Sequence, residues 1–202
     1  MNDEELTPRE RRHERTKDAI LNAAREMVNK GGPDALSMRK IARKIDYSPA
    51  GLYEYFGSKD QIIGELCNDA DKKLTAYLNS VDTSLPIGER LVELGLAYVR
   101  FATQNREPFL LLFTNVASGI GSDESEEPGG SFMVLFQTVQ QGIESGVFIT
   151  APHEAFSVSY AAWSIVHGMA MLQVTALQNT NFEFTTINRW TLEQFVEGLM
   201  TP

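Results

Sequence analysis

Three serines, Ser37, Ser48 and Ser58, stand eleven and ten residues apart, each directly ahead of a stretch whose apolar residues recur at helical spacing. Serine is a strong helix N-cap because its hydroxyl accepts from the unpaired N–H groups of the first turn. Starts this close together leave room for two short helices, tight turns and little else. Ser48 is followed by Pro49, whose fixed φ suits the first helical position, so a helix of two turns is expected from there to Phe56, stopping at Gly57. Ser58 and Gln61 form a Ser-x-x-Gln box that opens the next helix. Upstream, "MRKIARKI" turns Met38, Ile41, Ala42 and Ile45 inward and Arg39, Lys40, Arg43 and Lys44 elsewhere, and it breaks at Asp46-Tyr47.

The rest of the chain carries the same period, and no stretch alternates as a strand does. "TPRE" (7–10) is a capping box ahead of an apolar face of Ala19, Ile20, Ala23, Ala24, Met27 and Val28, and "GGPD" (31–34) ends that helix. The helix after Ser58 carries Ile62, Ile63, Leu66, Ala70, Leu74 and Tyr77 to about residue 80, and "SVDTSLPIGE" follows as a turn-rich boundary. Five further helices are expected over 86–104, 107–117, 131–145, 152–177 and 185–199, with a mobile acidic loop, "SGIGSDESEEPGGS", between the second and third of them. The fold class is therefore all-α, with about nine helices. The expected domains are 1–60, a helix-turn-helix unit with a basic arm, and 61–202, a larger helical domain.

Charge separates the same two parts. The chain carries a net −9, yet residues 1–60 hold twelve of the eighteen Lys and Arg against eleven of the 27 Asp and Glu. The remainder is strongly acidic. This asymmetry points to nucleic acid at the N-terminal part, with a solvated helix of mixed charge as the alternative. The single cysteine, Cys67, excludes an internal disulfide and reads as a buried thiol. With no signal-peptide stretch at the start and no apolar run expected to span a bilayer, a cytoplasmic location and no membrane partner are expected.

Two short helices joined by a tight turn after a longer one describe a helix-turn-helix. A recognition helix meets the major groove by its N-terminal end, so small residues there, Ala50 and Gly51, allow close approach. Leu52 and Phe56, four apart, anchor the helix. Tyr53, Tyr55 and Lys59 can reach phosphate; for the two tyrosines, packing against the fourth helix is the alternative. The arm "RERRHER" (9–15) either enters a minor groove or pairs with phosphates, or is a frayed extension.

"LSMRKIARKIDYSPAGLYEYFGSKDQII" resembles the DNA-binding domain of tetracycline-repressor (TetR) family transcription regulators, over residues 14 to 64. The resemblance implies DNA contacts from Ser37, Arg39, Ser48, Pro49, Ala50, Gly51, Tyr53, Tyr55 and Lys59. Two residues depart from the family's pattern. Asp46 stands where glycine is common, and it is expected to hold the turn. Glu54 lies on the recognition helix, where it either accepts from cytosine N4 or faces solvent.

The acidic domain shows no catalytic signature: no phosphate-cradling glycine loop, no nucleophile elbow, and histidines (His13, His153, His167) too scattered to bind metal. No enzyme, metal or cofactor is expected. "YAAWSIVHGMAML" places Trp163 and His167 on one helix face and resembles the Trp-x-x-x-His-Gly segment of one branch of the family. His167 is either a ligand donor or a hydrogen-bonded core histidine. The family holds its effector between these helices, which implies an adaptable apolar pocket from Tyr98, Phe101, Phe109, Phe113, Met133, Phe136, Trp163, His167 and Met171. The resemblance further implies a homodimer through the last two helices. On this reading the chain is a repressor released from a pseudo-palindromic double-stranded DNA operator by a small molecule of apolar or aromatic character. The alternatives are a helical protein-binding or structural dimer without DNA function, and a small helical enzyme using Trp163 and His167.

Overall fold

The computed structural model describes residues 7–114, 130–150 and 154–200. Among these residues nine α-helices and no strand occur: α1 (Pro8–Gly31), α2 (Met38–Lys44), α3 (Pro49–Leu52), α4 (Lys59–Asn79), α5 (Ile87–Gln104), α6 (Arg106–Thr114), α7 (Ser131–Glu144), α8 (Ala155–Val174) and α9 (Phe184–Met200). The expected acidic loop, the end of the helix expected to reach 117, and His153 lie wholly or largely outside the described residues. The chain forms two compact units, one of Met1–Ala70 and Leu110–Ser122, the other of Asp71–Phe109 and Asp123–Pro202. The helix α4 runs from the first into the second.

In the first unit α1 opens with the expected box, in which the Thr7 backbone N–H donates to Glu10 Oε2 at 2.7 Å and the Glu10 N–H to Thr7 Oγ1 at 3.3 Å. It closes at Gly32, whose φ of 71° is left-handed, and a one-turn 3₁₀ helix (Pro33–Ala35) follows that the sequence period does not reveal. The unit's core is Ile20, Ala24, Ile41, Ala42, Leu52, Phe56, Ile62 and their neighbours, all buried. Ion pairs Lys17–Glu65, Arg25–Asp69 and Lys44–Glu26 rim it. Pairs this exposed are screened by solvent and add little, so the apolar face carries the packing.

The α-helical part of the expected two-turn helix is shorter than its sequence predicts. α3 is a single turn, and past Leu52 the N–H groups of Tyr53, Glu54 and Tyr55 bond three residues back, to Ala50, Gly51 and Leu52. That pattern is 3₁₀ geometry, which tightens helix ends. Only Leu52 and Phe56 of this segment are buried, so little packing holds the wider turn of an α-helix.

In the second unit α5 lies centrally and packs on α7, α8 and α9. At Gly95 a Cβ would sit 2.8 Å from Leu192 Cδ1 and 3.1 Å from Val166 Cγ1, so glycine is what lets α5 lie close to the other two helices. One sequence expectation needs correction. α8, 20 residues without a charge, is long and apolar enough to cross a membrane. One face of it packs within the unit, where Val158, Ser159, Ala162, Val166, Ala170 and Val174 form a buried stripe at helical spacing.

Candidate nucleic-acid interface and ligand site

The turn between α2 and α3 sets the interface. Asp46 has φ 52°, and among the described residues it is the only non-glycine in the left-handed region. The N–H of Tyr47 reaches back to the Ala42 carbonyl at 2.9 Å. With Ile45 as C-cap this is the six-to-one bond of a Schellman stop, so aspartate fills the role that glycine usually takes. Asp46 therefore holds the turn as expected.

The three serines behave differently. Ser48 Oγ accepts from the Gly51 N–H at 2.9 Å and Ser58 Oγ from the Gln61 N–H at 3.2 Å. Gln61 does not complete the reciprocal box at Ser58; its Oε1 instead accepts from the Gly57 N–H at 2.7 Å. Ser37 stands at the N-cap of α2 yet makes no side-chain cap bond.

Of the expected contact residues, Arg39, Ser48, Pro49, Ala50 and Tyr53 are exposed, Tyr53 at 56%. Ser37, Gly51, Tyr55 and Lys59 are partly buried. Glu54 is exposed as well, which fits the solvent reading. Two features of this surface escape the sequence pattern. A Cβ on Gly51 would lie 2.6 Å from Tyr47 Cε1, so the bare backbone there is already covered by a ring of the protein itself. Tyr55 stacks on His13 at 4.5 Å with the planes 22° apart, and it meets Tyr47 edge-on at 6.0 Å. The arm is thus an ordinary part of α1, with His13 in contact across the unit. The ring partners of Tyr55 are His13 and Tyr47.

Within the second unit an aromatic group gathers around Tyr98. The Trp163 Nε1–H donates to the Tyr98 hydroxyl at 3.3 Å, and that hydroxyl lies 2.9 Å from His167 Nδ1. The indole can only donate, so the Tyr98 hydroxyl accepts from it, and the direction of the bond to Nδ1 follows the His167 tautomer. Burial pushes the Tyr98 phenol well above its ordinary range and holds the His167 imidazole below its own. Phe109 meets both Tyr98 and His167, and Phe132 meets Trp163, Phe136 and Phe156. The sequence places Trp163 and His167 on one face but gives no sign of the Tyr98 link, 65 and 69 residues away.

Phe101 and Phe109 are fully buried, whereas Met133, Phe136, Trp163, His167 and Met171 are partly exposed. Phe113 falls in the residues of the first unit and is partly buried on α6. Cys67 is buried, its thiol pushed up to about 11 by desolvation, with Sγ 3.8 Å from the Leu111 carbonyl. Among the described residues no three His, Cys, Asp or Glu side chains gather to hold a metal.

On α8 and α9 much apolar surface stays uncovered: Phe156, Tyr160 and Leu172 on the former, Ile187, Trp190 and Met200 on the latter. Ala170 and Val196 of the same helices are buried.

Residues 20–66 match the bacterial regulatory proteins of the tetR family, and residues 91–187 match the tetracyclin repressor-like C-terminal domain. A curated relative, the HTH-type transcriptional repressor Rv3405c of Mycobacterium tuberculosis, is 37% identical over 62 residues, which are 31% of this chain and 33% of that protein. The chain thus matches about a third of that relative's length. Among solved structures, a Rhodococcus sp. RHA1 protein of unknown function superposes with TM-score 0.74 at 22% identity, over 92% of this chain and 95% of that one. A single-substitution variant of TetR from Acinetobacter baumannii, in complex with minocycline, does so with TM-score 0.63 at 18% identity, over 91% and 97%. At such identities these two likenesses concern the fold. With the helix-turn-helix and the helical C-terminal domain each matched in its own right, the chain belongs to the tetracycline-repressor family of bacterial regulatory proteins.

Proposed function

We propose that the protein is a homodimeric transcription regulator, a repressor, that binds a pseudo-palindromic DNA operator and leaves it when a small molecule binds the second unit. The observation that carries this reading is the surface of the helix-turn-helix segment. Its apolar anchors, Leu52 and Phe56, are buried, while Arg39, Lys40, Arg43, Ala50 and Tyr53 are left to solvent. The contacts come from Ser37, Arg39, Ser48, Pro49, Ala50, Gly51, Tyr53 and Lys59. Ser37 supports the assignment because its hydroxyl is not engaged in capping its own helix.

The exposed apolar residues of α8 and α9 are the dimer face in this reading, covered by the same face of a second copy. Two recognition helices then meet major grooves about 34–36 Å apart or a multiple of that spacing. The effector lies against Met133, Phe136, Trp163, His167 and Met171, over a floor of Tyr98, Phe101 and Phe109; this lining supports an apolar or aromatic molecule. The Trp-x-x-x-His-Gly segment serves that site, the protein works in the cytoplasm, and it is not an enzyme. An effector that changes operator affinity about 5–150-fold needs a coupling of only about 1–3 kcal/mol.

The test is selection of duplexes from a random-sequence pool by the full chain, followed by titration at several salt concentrations. Recovery of a palindrome whose binding weakens steeply with salt is expected. A chain that dimerises but enriches no duplex is a helical protein-binding dimer instead.

A further inference from the structure

The segment that presents α3 is poorly anchored for its task. It buries two side chains, Leu52 and Phe56, and its helical part is a single turn. Two buried anchors alone fix its rotation weakly, so other contacts help to set it. A set of rings lies against this segment. His13 stacks on Tyr55 at 4.5 Å, Tyr55 meets Tyr47 edge-on at 6.0 Å with hydroxyls 3.5 Å apart, and Tyr47 covers the α-carbon of Gly51. Tyr47 is itself tied to the end of α2 through its N–H on Ala42. One turn along α1 from His13, Lys17 sits 5.9 Å from the Phe56 ring centroid, so two neighbouring residues of α1 seat two neighbouring aromatics of the same segment.

Resting on the DNA-binding reading above, we infer that His13, Tyr55 and Tyr47 are positioning residues that set the orientation of the recognition helix through Gly51. Tyr55 thus acts through its ring contacts and not through a hydroxyl on phosphate. Tyr53, at 56% exposure and outside this ring set, remains the phosphate contact. The device also gives Gly51 a reason besides closeness to bases. A Cβ there meets Tyr47 Cε1 at 2.6 Å and Ser48 Oγ at 3.0 Å, so an alanine displaces the ring that also meets Tyr55.

The experiment uses the duplex that the wild-type full-length chain selects from a random pool. Tyr55→Phe and His13→Phe keep a flat ring and are expected to bind within about twofold of wild type, whereas Tyr55→Ala and His13→Ala lose about tenfold. Gly51→Ala is expected to cost about tenfold in the wild-type chain and clearly less in a Tyr47→Ala background, the coupling of residues in contact. None of these changes alters the slope of log affinity against log salt, because no cation is taken from a phosphate. Equal cost of Gly51→Ala in both backgrounds, or a Tyr55→Phe loss as large as that of Tyr55→Ala, overturns the inference. The two phenylalanine variants keep a planar ring and stay readable where an alanine variant fails to fold. A wild-type chain that selects no duplex overturns the DNA-binding reading itself.

Discussion

Tyr53 and Tyr98 are the same residue put to opposite uses. Tyr53 is 56% exposed and its side chain stands open to solvent, so the fold makes no demand on it. Tyr98 is 5% exposed, and its hydroxyl joins an indole N–H to an imidazole nitrogen inside the second unit. A buried hydroxyl without partners costs about 1–3 kcal/mol, so every member of such a chain is fixed by the others. In the proposed reading Tyr53 serves binding without serving the fold, whereas the group around Tyr98 serves both. Substitution of Tyr53 is expected to change binding with the fold intact, and substitutions around Tyr98 to change both.

The largest expected effect is at Phe101. It is fully buried, edge-on to Tyr77 at 5.5 Å and 6.5 Å from Phe109. Phe101→Ala is expected to lower unfolding free energy by about 3–5 kcal/mol, read by urea denaturation. A loss below about 1 kcal/mol would mean that the ring borders an open space, and would move Phe101 from the floor of the effector site to its lining.

Next in size is Tyr98→Phe, which keeps the ring and removes the hydroxyl that Trp163 and His167 share. A loss of about 1–3 kcal/mol is expected. The same chain makes a pH prediction. Burial lowers the folded-state pKa of His167, so the unfolded chain takes up the proton first as pH falls. The stabilisation by neutral His167 is complete above about 6.5, the ordinary histidine value, and declines as pH falls through it toward the lower folded value. His167→Gln is expected to flatten this part of the stability–pH profile; a profile unchanged in that variant would place the acid sensitivity elsewhere.

In the first unit Lys59→Ala is expected to leave stability within about 0.5 kcal/mol, as surface substitutions usually do. It is expected to reduce the slope of log affinity against log salt by about 0.9 per half-site, the counterion released by one phosphate contact. An unchanged slope would make Lys59 a bystander. A large stability loss would break the contrast between the units.

How much the sequence discloses follows the same division. Caps and hydrophobic spacing are local, and they locate Thr7, Ser48, Ser58, Leu52 and Phe56 correctly because each acts within four residues of itself. The helix-turn-helix segment is legible for that reason, as are helix limits to within a few residues. What is not legible is contact across the chain. Nothing near residue 98 announces His167, and nothing at Tyr55 announces His13, since ring contacts leave no period. The 3₁₀ turn past Leu52 is hidden too, because its residues also suit an α-helix and only the lack of full burial between Leu52 and Phe56 sets them apart.

The smallest effect tests the joint between α2 and α3. Asp46 is exposed with φ 52°, and a left-handed backbone costs a side-chain-bearing residue about 1–2 kcal/mol, less for aspartate. Glycine removes that strain but gives up about 0.5–1 kcal/mol of chain entropy, so Asp46→Gly is expected to be neutral or stabilising by about 0.5 kcal/mol. Asp46→Ala keeps the strain without the local bonding that makes aspartate tolerant, and a loss of about 1 kcal/mol is expected by urea denaturation. Asp46 also stands two residues ahead of the Ser48 cap, where a carboxylate interacts favourably with the N-terminal end of α3. If Gly and Ala destabilise equally, the charge and not the backbone is what Asp46 supplies. The aspartate would then be tuning the potential at the end of the helix that approaches phosphate. In that case both variants bind DNA more tightly than wild type, because each removes a negative charge from the approach.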